Sequence, residues 1–185
     1  LYSVYKFNNN LNDKNIQKII NENKREDISL LNNVILNSMR FHLHSLKIIE
    51  KNVKKKIKEK EKILLVSAIT QIVFLNFKGY AVINCTVEIA KKLNIFHGFI
   101  NACLKNISKD KEILRNIDVE FDDLPKWFKE NTSSLSIKEK EIFLKNFKKE
   151  PNLHIVFKSE ERLKNFEKKL IKTFSISGFL SNKID

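Results

Sequence analysis

The chain has 185 residues and 21.8 kDa, enough for one core of ordinary size or one core plus a small appendage. Hydrophobic residues make up 42% and charged ones 31%, with only 2 cysteines, which excludes a disulfide-built scaffold and a solvated disordered tail. The formal net charge of +13 disfavours cationic partners and favours a polyanion, because lysines that neutralise phosphates release counterions.

The opening residues, LYSVYKFNNN, lack the charged start and apolar stretch of a secretory signal. A cytoplasmic protein without a membrane span is expected. The chain opens on Leu1 rather than methionine, which reads as a fragment or a processed product. Abundant Lys, Asn, Ile and Phe together also match an AT-biased genome, so part of the lysine excess has a mutational origin.

A short helix is expected over residues 14–21 and a long one over 28–50, with Ile28, Leu31, Ile35, Met39 and Leu46 as its apolar face. Residues 47–62, KIIEKNVKKKIKEKEK, hold eight lysines against three glutamates. Such a run serves either as a solvated helix face or as a patch for nucleic acid. Next comes a segment apolar around most of its circumference: Ile63, Leu64, Leu65, Val66, Ala68, Ile69, Ile72, Val73, Leu75 and Phe77. A helix of that kind is buried or membrane-spanning. Its length falls short of the roughly 20 residues a bilayer requires, so it reads as a buried central helix.

Gly79 is expected as a hinge, followed by a second helix carrying Ala81, Ile83, Cys85, Val87, Ile89, Ala90 and Leu93 on its apolar side. A short break at Asn94 leads to a third, with Phe96, Phe99, Ile100, Cys103, Leu104 and Ile107 at helical spacing. After Ser108, KDKEILRNIDVEFDD sets six acids against three bases, and Pro125 follows. This composition shift reads as a lobe boundary.

Beyond it, Leu124–Phe128 starts a short helix, and Ser136 with Glu139 forms a capping box that opens a helix through about Phe147. Alternating apolar residues near 153–158 read as a strand. Ser159 caps a further helix carrying Leu163, Phe166, Leu170 and Ile171. The fold class is therefore mainly α: a helical bundle over 1–110, an acidic linker over 111–123, and a small α+β lobe over 124–185.

Residues for catalysis are not evident. Cys85 and Cys103 lie on expected buried faces and read as small apolar fillers, with no neighbouring base to make a thiolate. His42 and His44 are two apart and point to different sides of a helix, while His97 and His154 stand alone, so no metal site is expected. The three glycines, Gly79, Gly98 and Gly178, are dispersed and cannot form a cofactor loop.

The wording of residues 61–107 adds a resemblance. Asn84, Val87, Glu88, Ala90 and Lys91, followed by Gly98, Phe99, Asn101 and Leu104, match in order and spacing the paired motifs of the NusB fold. That fold occurs in NusB itself and in the RsmB/Sun family of ribosomal RNA methyltransferases. Lys105 stands where the family has arginine, and Cys85-Thr86 where it has Glu-Ala. Asn37-Ser38-Met39-Arg40 sits where the methyltransferases carry Gly-Val-Leu-Arg. Downstream, Leu124-Pro125-Lys126-Trp127-Phe128 resembles the segment that joins the NusB-like domain to the catalytic domain in RsmB/Sun enzymes. Against the strand that follows in those enzymes, Ile155 stands in place of arginine and Phe157 in place of asparagine; Pro151, Leu153 and Lys158 resemble a variant of that strand found in some members, with His154 in place of Asp.

The resemblance implies the targeting N-terminal region of an S-adenosylmethionine-dependent small-subunit rRNA cytosine-5 methyltransferase. The chain itself would hold no cofactor, and S-adenosylmethionine would belong to a catalytic domain after Asp185. Ribosomal RNA is the expected partner, with a ribosomal protein as a second. The residues expected to meet phosphate are Arg40, Lys47, Lys51, Lys54, Lys55, Lys91, Lys92 and Lys105, while Asn101 is expected as a buried amide tying helices together. Two other readings stand beside this one: a NusB-like antitermination factor that binds a ribosomal protein and short single-stranded RNA, and a helical interaction module without RNA affinity.

Overall fold

The computed structural model describes residues 28–147, 149, 154–166, 170–173 and 177–180; the helix expected over 14–21 lies outside them. Two compact units divide at 147/148. Among the described residues the chain is mainly helical, as expected, with one small sheet.

In the first unit, α1 (Ile28–Arg40) and α2 (His42–Asn52) replace the single helix expected over 28–50. The interruption falls at Phe41, whose ring stacks on Phe74 at 4.1 Å with its edge toward His44. Helix α3 (Glu59–Ile69) begins where the Lys58 backbone N–H donates to the Glu61 carboxylate, 2.9 Å away. It carries on into a wider π turn, Thr70–Phe74, where Leu75 N–H reaches the Thr70 carbonyl at 2.9 Å. The central segment is buried as its composition requires: Leu65, Val66, Ile69, Ile72 and Val73 have no exposed surface.

Helix α4 (Gly79–Lys92) and helix α5 (His97–Lys109) form an antiparallel hairpin. Its turn places Asn94 in the left-handed region, φ 53°. A side chain without asparagine's local hydrogen bonding pays about 1–2 kcal/mol there. Asn94→Ala should therefore lower the melting temperature while Asn94→Gly leaves it near wild type, and equal losses from both would show that the asparagine side chain, not backbone conformation, matters. Ile100, Leu104 and Ile107 from α5 complete the core with Val82, Ile83 and Ala90 from α4.

Helix α4 differs from expectation on its apolar side. Cys85 is exposed, and Ile89 and Leu93 are 45% and 47% exposed, because the face turned to the core is Val82, Ile83, Thr86 and Ala90. Asn101, expected as a buried amide, is half-buried.

The acidic stretch 111–123 is packed rather than loose. It contains α6 (Lys111–Arg115) and a short 3₁₀ turn, Phe121–Asp123. Ile117, Val119 and Leu124 are buried, and the Arg115 Nε–H donates to the Val73 carbonyl at 2.8 Å. Helices α7 (Lys126–Asn131) and α8 (Ile137–Phe147) follow in the same unit. Phe128 packs on Phe143, Phe143 on Phe147, and Phe147 on His44, with centroids 5.1, 5.6 and 6.0 Å apart. Residues 111–147 share one compact unit with the bundle, with Ile117, Val119 and Leu124 buried. The capping box is present: Ser136 N–H and Oγ–H each donate to Glu139 at 2.8 Å.

In the second unit, β1 (His154–Val156), α9 (Glu160–Phe166), β2 (Leu170–Thr173) and β3 (Ser177–Leu180) give an antiparallel sheet of order β1-β3-β2. His154 pairs with Phe179 and their rings stack at 4.6 Å. Ser159 caps α9 as expected, its Oγ accepting from Arg162 N–H at 3.4 Å. Leu170 and Ile171, expected on that helix, lie in β2 instead, because pairing with β3 supplies backbone partners that the end of a short helix lacks.

Candidate nucleic-acid interface

The loop joining α2 to α3 is positioned by its apolar residues. Val53 and Ile57 pack against the core, so Lys54, Lys55, Lys56 and Lys58 are left exposed. Lys55 bridges to the hairpin, with its Nζ 3.6 Å above the Phe99 ring. Lys58 and Lys60 share a cavity of about 490 Å³ with Glu59, Glu61, Leu93, Asn94, Ile95 and Phe96. Lys91 and Lys92 form the last turn of α4 immediately before that corner and are also exposed. Lys91 is paired at 2.7 Å with Glu88, whose carboxyl this contact holds below its ordinary range.

At the corner stands Phe96, 68% exposed. A Cβ on Gly98 would lie 3.3 Å from its ring, so the glycine lets the ring lie close over the first turn of α5. That helix starts without a side-chain cap on the N–H groups of its first turn. The corner therefore combines ammonium groups, a helix N-terminus and an open aromatic face, the components that bind a nucleic-acid backbone and an unstacked base.

The expected phosphate contacts do not all meet here. Lys55 reaches the hairpin at Phe99, and Lys91 and Lys92 end α4 just before the corner, while Lys54 is exposed in the α2–α3 loop. Lys47 does not join them: its ammonium bonds Asp123 at 2.5 Å and the Asp118 carbonyl at 3.2 Å, with Glu120 at 3.8 Å, leaving only 20% of the side chain exposed. The hydrogen bond to Asp123 holds the Lys47 ammonium above its ordinary pKa. Burial works against ionisation of Asp123, but bonds from Lys47 and the Glu120 N–H outweigh it and hold the carboxyl below the usual range. Lys47 is thus the tether of the acidic stretch. Lys51 lines the neighbouring cleft with Glu50 and Glu120. Arg40 ends α1, half-buried, donating to Asn37 Oδ1 at 2.8 Å. Lys105 lies toward the far end of the hairpin from the corner.

Sequence reasoning passed over Lys56, Lys58, Lys60 and Phe96 as individual residues. The lysines were visible within the 47–62 run. Phe96 was expected on a buried face, and its position just ahead of His97-Gly98, at a helix start, was the available signal.

The cysteines differ chemically. Burial pushes the Cys103 thiol up to about 11, so it stays protonated near neutrality, whereas Cys85 faces solvent. Ellman's reagent should label one thiol in the folded chain and two in denaturant; two fast thiols without denaturant would contradict this placement. Among the described residues there is no group of three metal-ligating side chains and no helix long and apolar enough to cross a membrane.

The first unit is a helical bundle with a basic, aromatic corner. The NusB family model matches residues 1–109, and the chain belongs to the NusB family. That membership supports RNA binding. No curated protein matches the chain.

Proposed function

We propose that this chain is the RNA-targeting region of an S-adenosylmethionine-dependent small-subunit rRNA cytosine-5 methyltransferase of the RsmB/Sun type, working in the cytoplasm. The RNA part rests on one observation above others: the α2–α3 loop exposes Lys54, Lys55 and Lys58, Lys55 reaches across to Phe99, Lys58 and Lys60 share a cavity with exposed Phe96, and Lys91 and Lys92 end α4 just before it. Lysines so placed neutralise phosphates without reading sequence, which suits docking on a structured RNA.

The methyltransferase part is supported by the wording of 124–128 and by the further α+β unit beyond 147. Cofactor residues are not among those described. Gly79 abuts Ser108, Gly98 lies beneath Phe96, and Gly178 is paired within the sheet, so none opens a cradle for S-adenosylmethionine. The cofactor belongs to a separate domain in this reading, and the bundle's work is to hold RNA in register for it. A ribosomal protein is a second proposed partner.

Two measurements test the proposal. Binding of a labelled small-subunit rRNA fragment should weaken linearly in log–log terms as salt rises; no binding at low salt would overturn the RNA part. Reading the coding sequence past Asp185 should reveal a strand, a Gly-rich loop, and Pro-Cys and Thr-Cys motifs. A stop codon there would overturn the methyltransferase part and leave RNA binding intact.

A further inference from the structure

The far end of the α4–α5 hairpin carries a second feature. Gly79 at the start of α4 lies against Ser108 near the end of α5, so close that a Cβ on the glycine would collide with the serine Oγ. This approach closes one end of a cleft between the two helices. Tyr80, Asn84, Lys105, Asn106 and Lys109 line it above the buried Ile83. Tyr80 is 68% exposed. No carboxylate lines the cleft, and none of these five side chains makes a hydrogen bond, ion pair or ring contact among the described residues.

An aromatic ring, two amides and two ammonium groups converge there without partners among the described residues. From the geometry we infer that the cleft binds one unpaired nucleotide of the RNA. The base stacks on Tyr80, the amides of Asn84 and Asn106 face its edge, and Lys105 and Lys109 take the adjoining phosphates. Amides provide both donors and acceptors, so they can read a base edge, which lysines alone cannot. Tyr80 and Lys92 lie on one helix roughly 18 Å apart at 1.5 Å per residue. The RNA would therefore run along the hairpin from the lysine corner to this cleft. The inference rests on the RNA-binding reading above and adds a point of base recognition to it.

The test uses the full chain and labelled single-stranded RNA about 12 nucleotides long, with a perfect duplex as control. Tyr80→Ala should weaken single-strand binding about tenfold, as loss of one base–aromatic stack does, and leave the salt slope unchanged. Tyr80→Phe should bind as wild type. Replacing Lys105 and Lys109 together by Gln should lower the salt slope by about 1.4. Full single-strand affinity in Tyr80→Ala, with Lys54/Lys55/Lys58 reversal still weakening binding, would overturn the cleft and spare the RNA reading. Absence of binding by the wild-type chain would overturn both. Because Tyr80 is exposed, its replacement should leave the melting temperature unchanged, which separates lost contact from lost fold.

Discussion

Reversal of Lys54, Lys55 and Lys58 to glutamate should lower RNA affinity by well over tenfold at low salt and flatten the salt dependence. Each phosphate contact on a single strand contributes about 0.7 to the slope of log K against log salt, so three lost contacts remove about 2. Fold stability should change little. All three side chains are exposed, and the cap at α3 uses the Lys58 backbone rather than its ammonium. The one interaction at risk is Lys55 over Phe99, of about 0.5–1 kcal/mol for a surface cation–π contact. Lys47→Glu is the informative contrast. It should leave the slope unchanged while loosening 118–123, because its ammonium serves Asp123 and not solvent. An identical slope in the triple variant and the wild type would remove the corner as a phosphate site.

Leu104→Ala should destabilise the fold by about 2–5 kcal/mol, from lost burial plus the cavity left behind. Leu104 has no exposed surface and lies in the cluster that joins α2, α3, α4 and α5. For a chain of this size that loss corresponds to roughly 10 °C in melting temperature. Ile113→Ala removes a similar side chain that is 76% exposed, and surface changes stay within about 0.5 kcal/mol. Thermal unfolding of the two variants side by side checks the assignment. Equal shifts would mean that α5 does not carry the core.

The core was legible because burial imposes a period on sequence. Ile63 to Val73 are apolar around most of the circumference, which marks a buried segment, and Ile100, Leu104 and Ile107 recur at helical spacing, which marks a buried face. The Ser136–Glu139 box and the Ser159 cap were legible for a similar reason, since both are interactions within one turn. Less was legible where two faces compete. Cys85 and Phe96 are apolar enough to be buried, yet α4 and α5 turn them outward because the hairpin's mutual contact selects Val82, Thr86 and Ala90 instead. The break at Phe41 and the strand at Leu170 likewise depend on partners far along the chain, Phe74 in one case and β3 in the other.

By itself the sequence determined the helical class, the central buried segment, the basic character and the NusB-type wording, all of which follow from local periodicity, charge or motif spacing. Which lysines stand together was decided by tertiary structure alone. A lysine is equally soluble on any exposed face, so its sequence carries no record of its neighbours in space. Folding set Lys55 over Phe99, brought Lys58 to the Asn94–Phe96 turn, and withdrew Lys47 to hold Asp123.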